Sequence, residues 1–242
     1  MVGVSPLATT DRRDLVRIYR RLLRRQGHAG WWPGETPFEV CVGAILVQNT
    51  AWTNVEKALA VLRTRGLLTF EALRPLSTAD LAPLIRSSGF FNVKARRLAA
   101  FLAFLGAEYG GRVEAMAHEE PLALRAKLLA VDGIGRETAD SIVLYAAGLP
   151  IFVVDAYTRR IFGRLGLIRG DEDYDAIRAF FESRLPREAA LFNDYHAQIV
   201  LLGKDICRPK PLCDGCPLDA ACARRGLVRR RRRALDRLPA KR

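Results

Sequence analysis

Leu128-Leu129-Ala130-Val131-Asp132-Gly133-Ile134-Gly135-Arg136-Glu137-Thr138-Ala139-Asp140-Ser141-Ile142 is the stretch that decides the fold. An apolar helix ends at about Val131, Gly133-Ile134-Gly135 makes a tight turn, and a second helix begins at Glu137. The small residues Ala139 and Ser141 permit close helix packing. Two glycines let such a turn bring its backbone near a phosphate, whose charge the amides of the next helix N-terminus can meet. Contacts of that kind position a protein on DNA without reading sequence. Taken alone, Gly-x-Gly is also an ordinary helix–helix turn, so the rest of the chain has to decide.

Outward from the turn the pattern is helical nearly throughout. Leu15, Ile18, Tyr19 and Leu22 recur at helical spacing between arginines, which predicts an amphipathic helix over 11–27. A Gly/Trp/Pro-rich break follows at 27–34. Helices are then predicted over 37–48, 51–64, 69–74, 78–87, 92–109, 120–130 and 137–147, separated by Gly66, Pro75, Gly89, Gly110-Gly111 and the Gly133–Gly135 turn. Later helices fit 156–165, 173–184 and 187–203. Convincing period-2 alternation is absent, so the expected fold class is all-α.

Charge narrows the function. The 242 residues carry 39 Lys and Arg against 26 Asp and Glu, a net charge of +13 that favours a polyanionic partner. Part of the excess is the run Arg229–Arg233, which reads as a solvated basic tail. No apolar run approaches the roughly 20 residues that cross a bilayer, so no membrane association is expected. The early charged stretch Asp11-Arg12-Arg13-Asp14 is unlike a signal peptide. A monomeric cytoplasmic protein, nucleoid-associated if bacterial, is the expectation.

The five cysteines, Cys41, Cys207, Cys213, Cys216 and Cys222, are an odd number with four crowded together, a poor disulfide framework. Four clustered thiols ask for a metal: an iron–sulfur cluster or a tetrahedral zinc ion. One C-x2-C knuckle, where a zinc ribbon more often has two, favours the cluster. Cys41 lies on an apolar helix face and reads as core.

Gly133-Ile134-Gly135-Arg136-Glu137-Thr138-Ala139 resembles the hairpin of the endonuclease III, or helix-hairpin-helix, DNA glycosylase superfamily. Asp155 lies twenty residues after Gly135, in Val153-Val154-Asp155-Ala156-Tyr157, and matches that superfamily's strand-like approach and catalytic aspartate. Read without the resemblance, Asp155 is a helix N-cap; the two roles are compatible. A carboxylate there can stabilise the oxocarbenium-like sugar as the base departs, and orient water. Leu46-Val47-Gln48-Asn49-Thr50 and Gly89-Phe90-Phe91-Asn92-Val93-Lys94-Ala95 match the superfamily's two DNA-probing loops. The resemblance implies that Gln48 fills the gap left by a flipped nucleotide and that Phe90 wedges into the duplex. It gives Asn92, Lys94, Gly133, Gly135, Arg136 and Thr138 to DNA binding.

Trp31-Trp32-Pro33, then Gln48-Asn49-Thr50 with Trp52 two residues on, then Gly-Ile-Gly-basic-Glu, is closest to the 3-methyladenine DNA glycosylase III type. That resemblance implies that Trp31, Trp32, Pro33, Trp52 and Glu137 line a pocket for an extruded base. An N3- or N7-alkylated purine is cationic, and aromatic faces attract cations. Bifunctional members carry a lysine where this chain has Glu137, and a carboxylate cannot form the Schiff base of strand cleavage. Cys207-x5-Cys213-x2-Cys216-x5-Cys222 resembles the superfamily's [4Fe–4S] loop, one residue shorter in its first gap, and would point Arg208, Lys210 and Arg224 toward phosphates.

The sequence therefore predicts a two-lobed fold: a helical barrel with the hairpin over 29–149, a cluster domain from 1–28 and 150–227, and a basic tail over 228–242. The partner expected is double-stranded DNA with damaged bases. Monofunctional release of alkylated purines is the leading activity. An oxidised-pyrimidine glycosylase with lyase activity and a non-catalytic DNA-binding scaffold are the alternatives. An adenine-mismatch glycosylase fits less well, since the chain ends soon after Cys222.

Overall fold

The computed structural model describes residues 11–32 and 34–227. Pro33 and the basic tail over 228–242 lie outside the described residues. Among those described there are helices and no strand: α1 (Arg12–Gln26), α2 (Pro37–Leu46), α3 (Trp52–Thr64), α4 (Phe70–Leu73), α5 (Thr78–Leu84), α6 (Phe91–Tyr109), α7 (Pro121–Leu129), α8 (Arg136–Ser141), α9 (Ala156–Leu165), α10 (Tyr174–Glu182) and α11 (Ala189–Asp205), with short 3-10 turns between some of them. The all-α expectation holds.

Local chemistry sets most helix starts. Thr36, Thr69, Ser77, Asp155 and Asp173 each accept a hydrogen bond from a backbone amide of the first turn. Pro37 and Pro121 occupy the first helical position, where a missing N–H costs nothing.

The central element is α2, buried from Phe38 to Leu46, which packs against α3, α6 and the second half of the hairpin. On the other side α11 packs on α1, on α9 and on the segment after α8. The periodicity of α1 explains its seat: Leu15, Ile18 and Leu22 are buried, Tyr19 stacks on Tyr195 and donates to Asp194 at 2.7 Å, and its arginines face outward.

Two expectations needed correction. The hairpin's second helix is not one α-helix over 137–147: α8 ends at Ser141 and the chain continues as a π turn over Ile142–Ala146. Ser141 Oγ donates to the Glu137 carbonyl at 2.7 Å, a back-bond that competes with the main-chain ladder where it widens. The approach to Asp155, expected to be strand-like at Val153-Val154, belongs to no strand among the described residues. Its amides are met by side chains instead: Phe152 N donates to Glu182 Oε1 at 2.9 Å and Val154 N to Tyr174 Oη at 3.2 Å. Phe152 itself stacks on Phe181, ring centroids 4.0 Å apart, in an aromatic core with Phe162, Phe192 and Tyr195. The segment leading into Asp155 is thus fixed from both sides.

Candidate active site

Asp155 caps α9 and is buried. Its Oδ1 accepts from Thr158 N at 2.7 Å and from Thr158 Oγ1 at 2.8 Å, while Oδ2 lies 3.6 Å from His196 Nε2. One oxygen holds the helix and the other is left toward the cleft. Burial by itself would raise the pKa; His196 and the Thr158 donors outweigh it and hold Asp155 below the usual carboxylate range. The group is an ionised carboxylate at neutral pH.

Around it opens a cleft of about 860 Å³ whose walls include Trp31, Trp32, Trp52, Glu137 and His196. The three indoles form one aromatic wall. Trp32 meets Trp31 edge-on with ring centroids 6.1 Å apart and Trp52 at 5.2 Å, and its other neighbour is Tyr145 at 5.0 Å. Gly43 of α2 makes room for this wall, because a β-carbon there would stand 3.3 Å from the Trp52 ring.

Glu137 stands at the cleft mouth, open to solvent on its outer side. Crowding by the cleft walls, and then the Asp155 carboxylate, push its pKa up to about 7; His196 and Arg159 pull the other way, and open water screens part of the push. The position that would hold a lyase lysine thus carries a carboxyl that changes charge near neutrality.

The two hairpin glycines do different work. Gly133 has φ +80°, and any side chain on it would run into the stem of Arg97. Gly135 has an ordinary extended backbone, and a β-carbon there would meet nothing within 4 Å, so its missing side chain leaves room for an approaching group. Arg136 is exposed but engaged: it donates to Asp173 at 2.7 Å and lies 3.4 Å from Asp175. Behind it buried Arg125 joins Asp140 of α8 to Asp175 of α10, each at 2.6 Å, fixing the hairpin's back.

The two loops expected to probe DNA differ from expectation in detail. Gln48 donates to the Gly133 carbonyl at 3.1 Å and to Thr138 Oγ1 at 2.9 Å, and accepts from Arg97. Gln48 and Thr138 therefore tie the first loop to the hairpin, and Thr138 is buried, not offered to DNA. Phe90 is 69% exposed and has φ +47°, a left-handed conformation rare for an aromatic residue that ends in a ring held out into solvent. Asn92 is exposed beside it. Lys94 is the clearest correction to the DNA-binding set. It is 1% exposed, and its ammonium donates to the Leu46 carbonyl at 2.8 Å and the Ser88 carbonyl at 2.5 Å. A lysine on the inward face of α6 has no charge to give a phosphate.

Sequence reasoning missed His196, Tyr145 and Arg97. His196 and Tyr145 sit within apolar helical patterns, where a single polar residue gives no signal, and Arg97 is one arginine among many.

At the far end of α9 lies the cysteine loop. Arg160 donates to the carbonyls of Cys207 at 2.8 Å and Gly203 at 3.0 Å; Arg164 donates to those of Arg208 at 2.6 Å and Pro209 at 2.9 Å and reaches Cys207 Sγ at 3.3 Å. Burial raises the pKa of Cys216 against the pull of a backbone hydrogen bond from Leu218, and the charges of Cys207, Cys222 and Cys213 add to the rise, so all four belong to one neighbourhood. As they stand, no three His, Cys, Asp or Glu side chains among the described residues form a set that could hold one metal ion. The donor chemistry fits an iron–sulfur cluster nonetheless: four thiols in one loop, one of them against the Arg164 guanidinium. Arg208 and Lys210 of this loop are exposed, whereas Arg224 is paired with Asp219.

Residues 42–187 match the family described as HhH-GPD superfamily base excision DNA repair protein. The chain is 46% identical over 209 residues to the Methanocaldococcus jannaschii protein named "Putative DNA repair glycosylase MJ1434", covering 86% of this chain and 95% of that one. It is 32% identical over 190 residues to endonuclease III of Thermotoga maritima, covering 77% and 82%. In fold it is similar to an endonuclease III in a non-covalent DNA complex (TM-score 0.73, 23% identity, covering 88% of this chain and 96% of that one). It is similar also to the Helicobacter pylori 3-methyladenine DNA glycosylase MagIII bound to 1,N6-ethenoadenine (TM-score 0.70, 28% identity, covering 81% and 98%).

Proposed function

This chain belongs to the HhH-GPD superfamily of base excision DNA repair proteins, and within it we propose a monofunctional DNA glycosylase that hydrolyses the N-glycosidic bond of alkylated purines. The observation that carries the reading is the shared cleft: an indole wall and an ionised aspartate face one cavity, with a carboxyl at the lyase position. A flipped N3- or N7-alkylated purine brings a positive charge. Each good contact between that charge and an indole face is worth roughly 0.5–2 kcal/mol over a neutral base. Asp155 Oδ2 then meets the positive charge that moves onto the sugar as the base leaves, and orients the attacking water. The cationic base departs without a general acid. The likeness to MagIII, whose structure holds an ethenoadenine, supports a purine pocket.

A specific observation favours a second reading. Thermotoga maritima endonuclease III is among the relatives, and oxidised pyrimidines with strand cleavage would follow from that likeness. Glu137 weighs against it, since it offers no amine beside Asp155. Duplexes bearing 3-methyladenine, 7-methylguanine or thymine glycol, each processed with and without alkali, separate the two. The proposal expects release of alkylated purines and strand breaks only after alkali. Cleavage of the thymine glycol duplex without alkali, or no release of either alkylated base, overturns it.

We propose further that Cys207, Cys213, Cys216 and Cys222 hold a [4Fe–4S] cluster. Bound there, the cluster would supply a rigid cross-link for the loop. Arg160 and Arg164 anchor the loop to α9, and the exposed Arg208 and Lys210 face outward on it as phosphate contacts.

A further inference from the structure

His196 on α11 is 4% exposed, yet its Nε2 is closed from solvent and has no hydrogen-bond partner. An unpaired polar atom in a core is costly, and an apolar residue at this position would avoid that cost. The nearest charged atom is Asp155 Oδ2, 3.6 Å away. On the opposite edge of the ring, Nδ1 lies 2.5 Å from Tyr145 Oη. Tyr145 is carried on the π turn Ile142–Ala146, and its ring packs on Trp32 of the aromatic wall at 5.0 Å. Three side chains from three elements therefore stand in line: Tyr145, His196, Asp155.

A neutral imidazole has one proton to place. A tyrosine hydroxyl at 2.5 Å from Nδ1 can donate to it, since the phenol is held protonated by burial and by the Asp155 charge. That donation leaves the ring proton on Nε2, the atom that faces Asp155. We propose that His196 is the positioning residue for Asp155: Tyr145 fixes its tautomer, and its Nε2–H aims and keeps ionised the one carboxylate oxygen that Thr158 leaves free. The proposal rests on Asp155 acting as the glycosylase carboxylate. The other groups facing it are Glu137 at the start of α8, and Arg159 of α9 by way of Glu137. Thr158 carries no charge.

Two readouts test this on the full chain. First, 15N spectra of the imidazoles: the chain has three histidines, so His196→Gln assigns the signal. A proton on Nε2 in the wild type, and a mixture of tautomers in Tyr145→Phe, is expected; a proton on Nδ1 overturns the proposal whatever base the enzyme releases. Second, single-turnover release of 7-methylguanine is followed against pH for wild type, His196→Gln and Tyr145→Phe. Loss of the His196 contact raises the Asp155 pKa, so the limb at the acid end of the profile, below the separate rise that Glu137 gives, should move upward and the rate on it should fall about tenfold. Tyr145→Phe should move the same limb less. Affinity for a duplex with an uncleavable abasic-site analogue should stay within twofold. A lower rate with an unmoved acid limb reveals a merely structural histidine and overturns the proposal. If His196→Gln fails to fold, Tyr145→Phe, which keeps the ring against Trp32, decides both readouts. Failure of the wild type to release any base would overturn the glycosylase reading while leaving the tautomer measurement to judge His196.

Discussion

Lys94 Nζ donates to the Leu46 carbonyl at 2.8 Å, joining the middle of the protein to the end of α2 with a charge that never reaches the surface. A second bond at 2.5 Å to the Ser88 carbonyl makes Lys94 a cross-brace between the two probing loops. Lys94→Ala should therefore lower unfolding free energy by about 2–4 kcal/mol, from a cavity and two orphaned carbonyls. The salt dependence of DNA binding should not change. A lysine on a phosphate would instead leave stability alone and reduce the slope of log K against log salt by about one; denaturant melts and salt titrations together distinguish the two.

Asp155→Asn should separate chemistry from architecture. Asparagine still offers an oxygen to Thr158 N and Oγ1, so the cap on α9 survives. The charge opposite the sugar does not. Base release should fall by at least about 10²-fold with little change in melting temperature and in affinity for undamaged duplex.

Glu137 predicts a pH effect of definite sign. Its pKa is raised from the ordinary 4.5 to about 7, so the folded protein holds this proton more tightly than the unfolded chain. Stability should then fall as pH rises across that window, and Glu137→Gln should remove that part of the slope. Activity should move the other way: the ionised carboxylate adds negative charge where a cationic base enters. Release of 7-methylguanine should climb through about pH 7 in the wild type and climb less steeply in Glu137→Gln.

Glu137→Lys places an amine at the cleft mouth beside Asp155. On an abasic-site duplex this variant should yield a covalent protein–DNA adduct after borohydride, by way of an imine at the sugar's anomeric carbon. The wild type should give none at the same enzyme concentration, and an equal adduct from the wild type would show that another amine already serves.

Cys216→Ser should abolish the visible absorption of an iron–sulfur cluster and leave iron and acid-labile sulfide below about four each per chain. Zinc in the purified wild type, at one ion per chain and without sulfide, would replace the cluster with a tetrahedral site.

The parts of this site legible in the sequence are those written locally. The hairpin turn, the capping aspartate and the cysteine spacing each occupy a short run whose backbone demands choose the residues. Most helix boundaries, such as 11–27 against Arg12–Gln26, follow from periodicity and caps in the same way. Lys94 was illegible because its fate depends on which carbonyls two distant loops bring to it. Thr138 likewise looks like a phosphate donor until its burial is seen, with the amide of Gln48, ninety residues earlier, donating to its hydroxyl oxygen. His196 and Tyr145 fail for a third reason: each interrupts an apolar helix face, and only the packing of α11 on the π turn shows that the two interruptions meet. The π turn itself arises from a competition between a serine hydroxyl and the main chain that no periodicity reports.

Helix α9 starts at the Asp155 carboxylate and ends where Arg164 grips the cysteine loop, a span of about 15 Å for its ten residues. In a helix this short, loosening one end is expected to reach the other through local unfolding. Amide exchange at Thr158 and at Cys207, whose carbonyl Arg160 holds, should then run at matched rates and accelerate together when the loop is loosened. Whatever steadies the cysteine loop also sets how long the aspartate stays aimed, and repair of a base and upkeep of a distant loop become two measurements of the same clock.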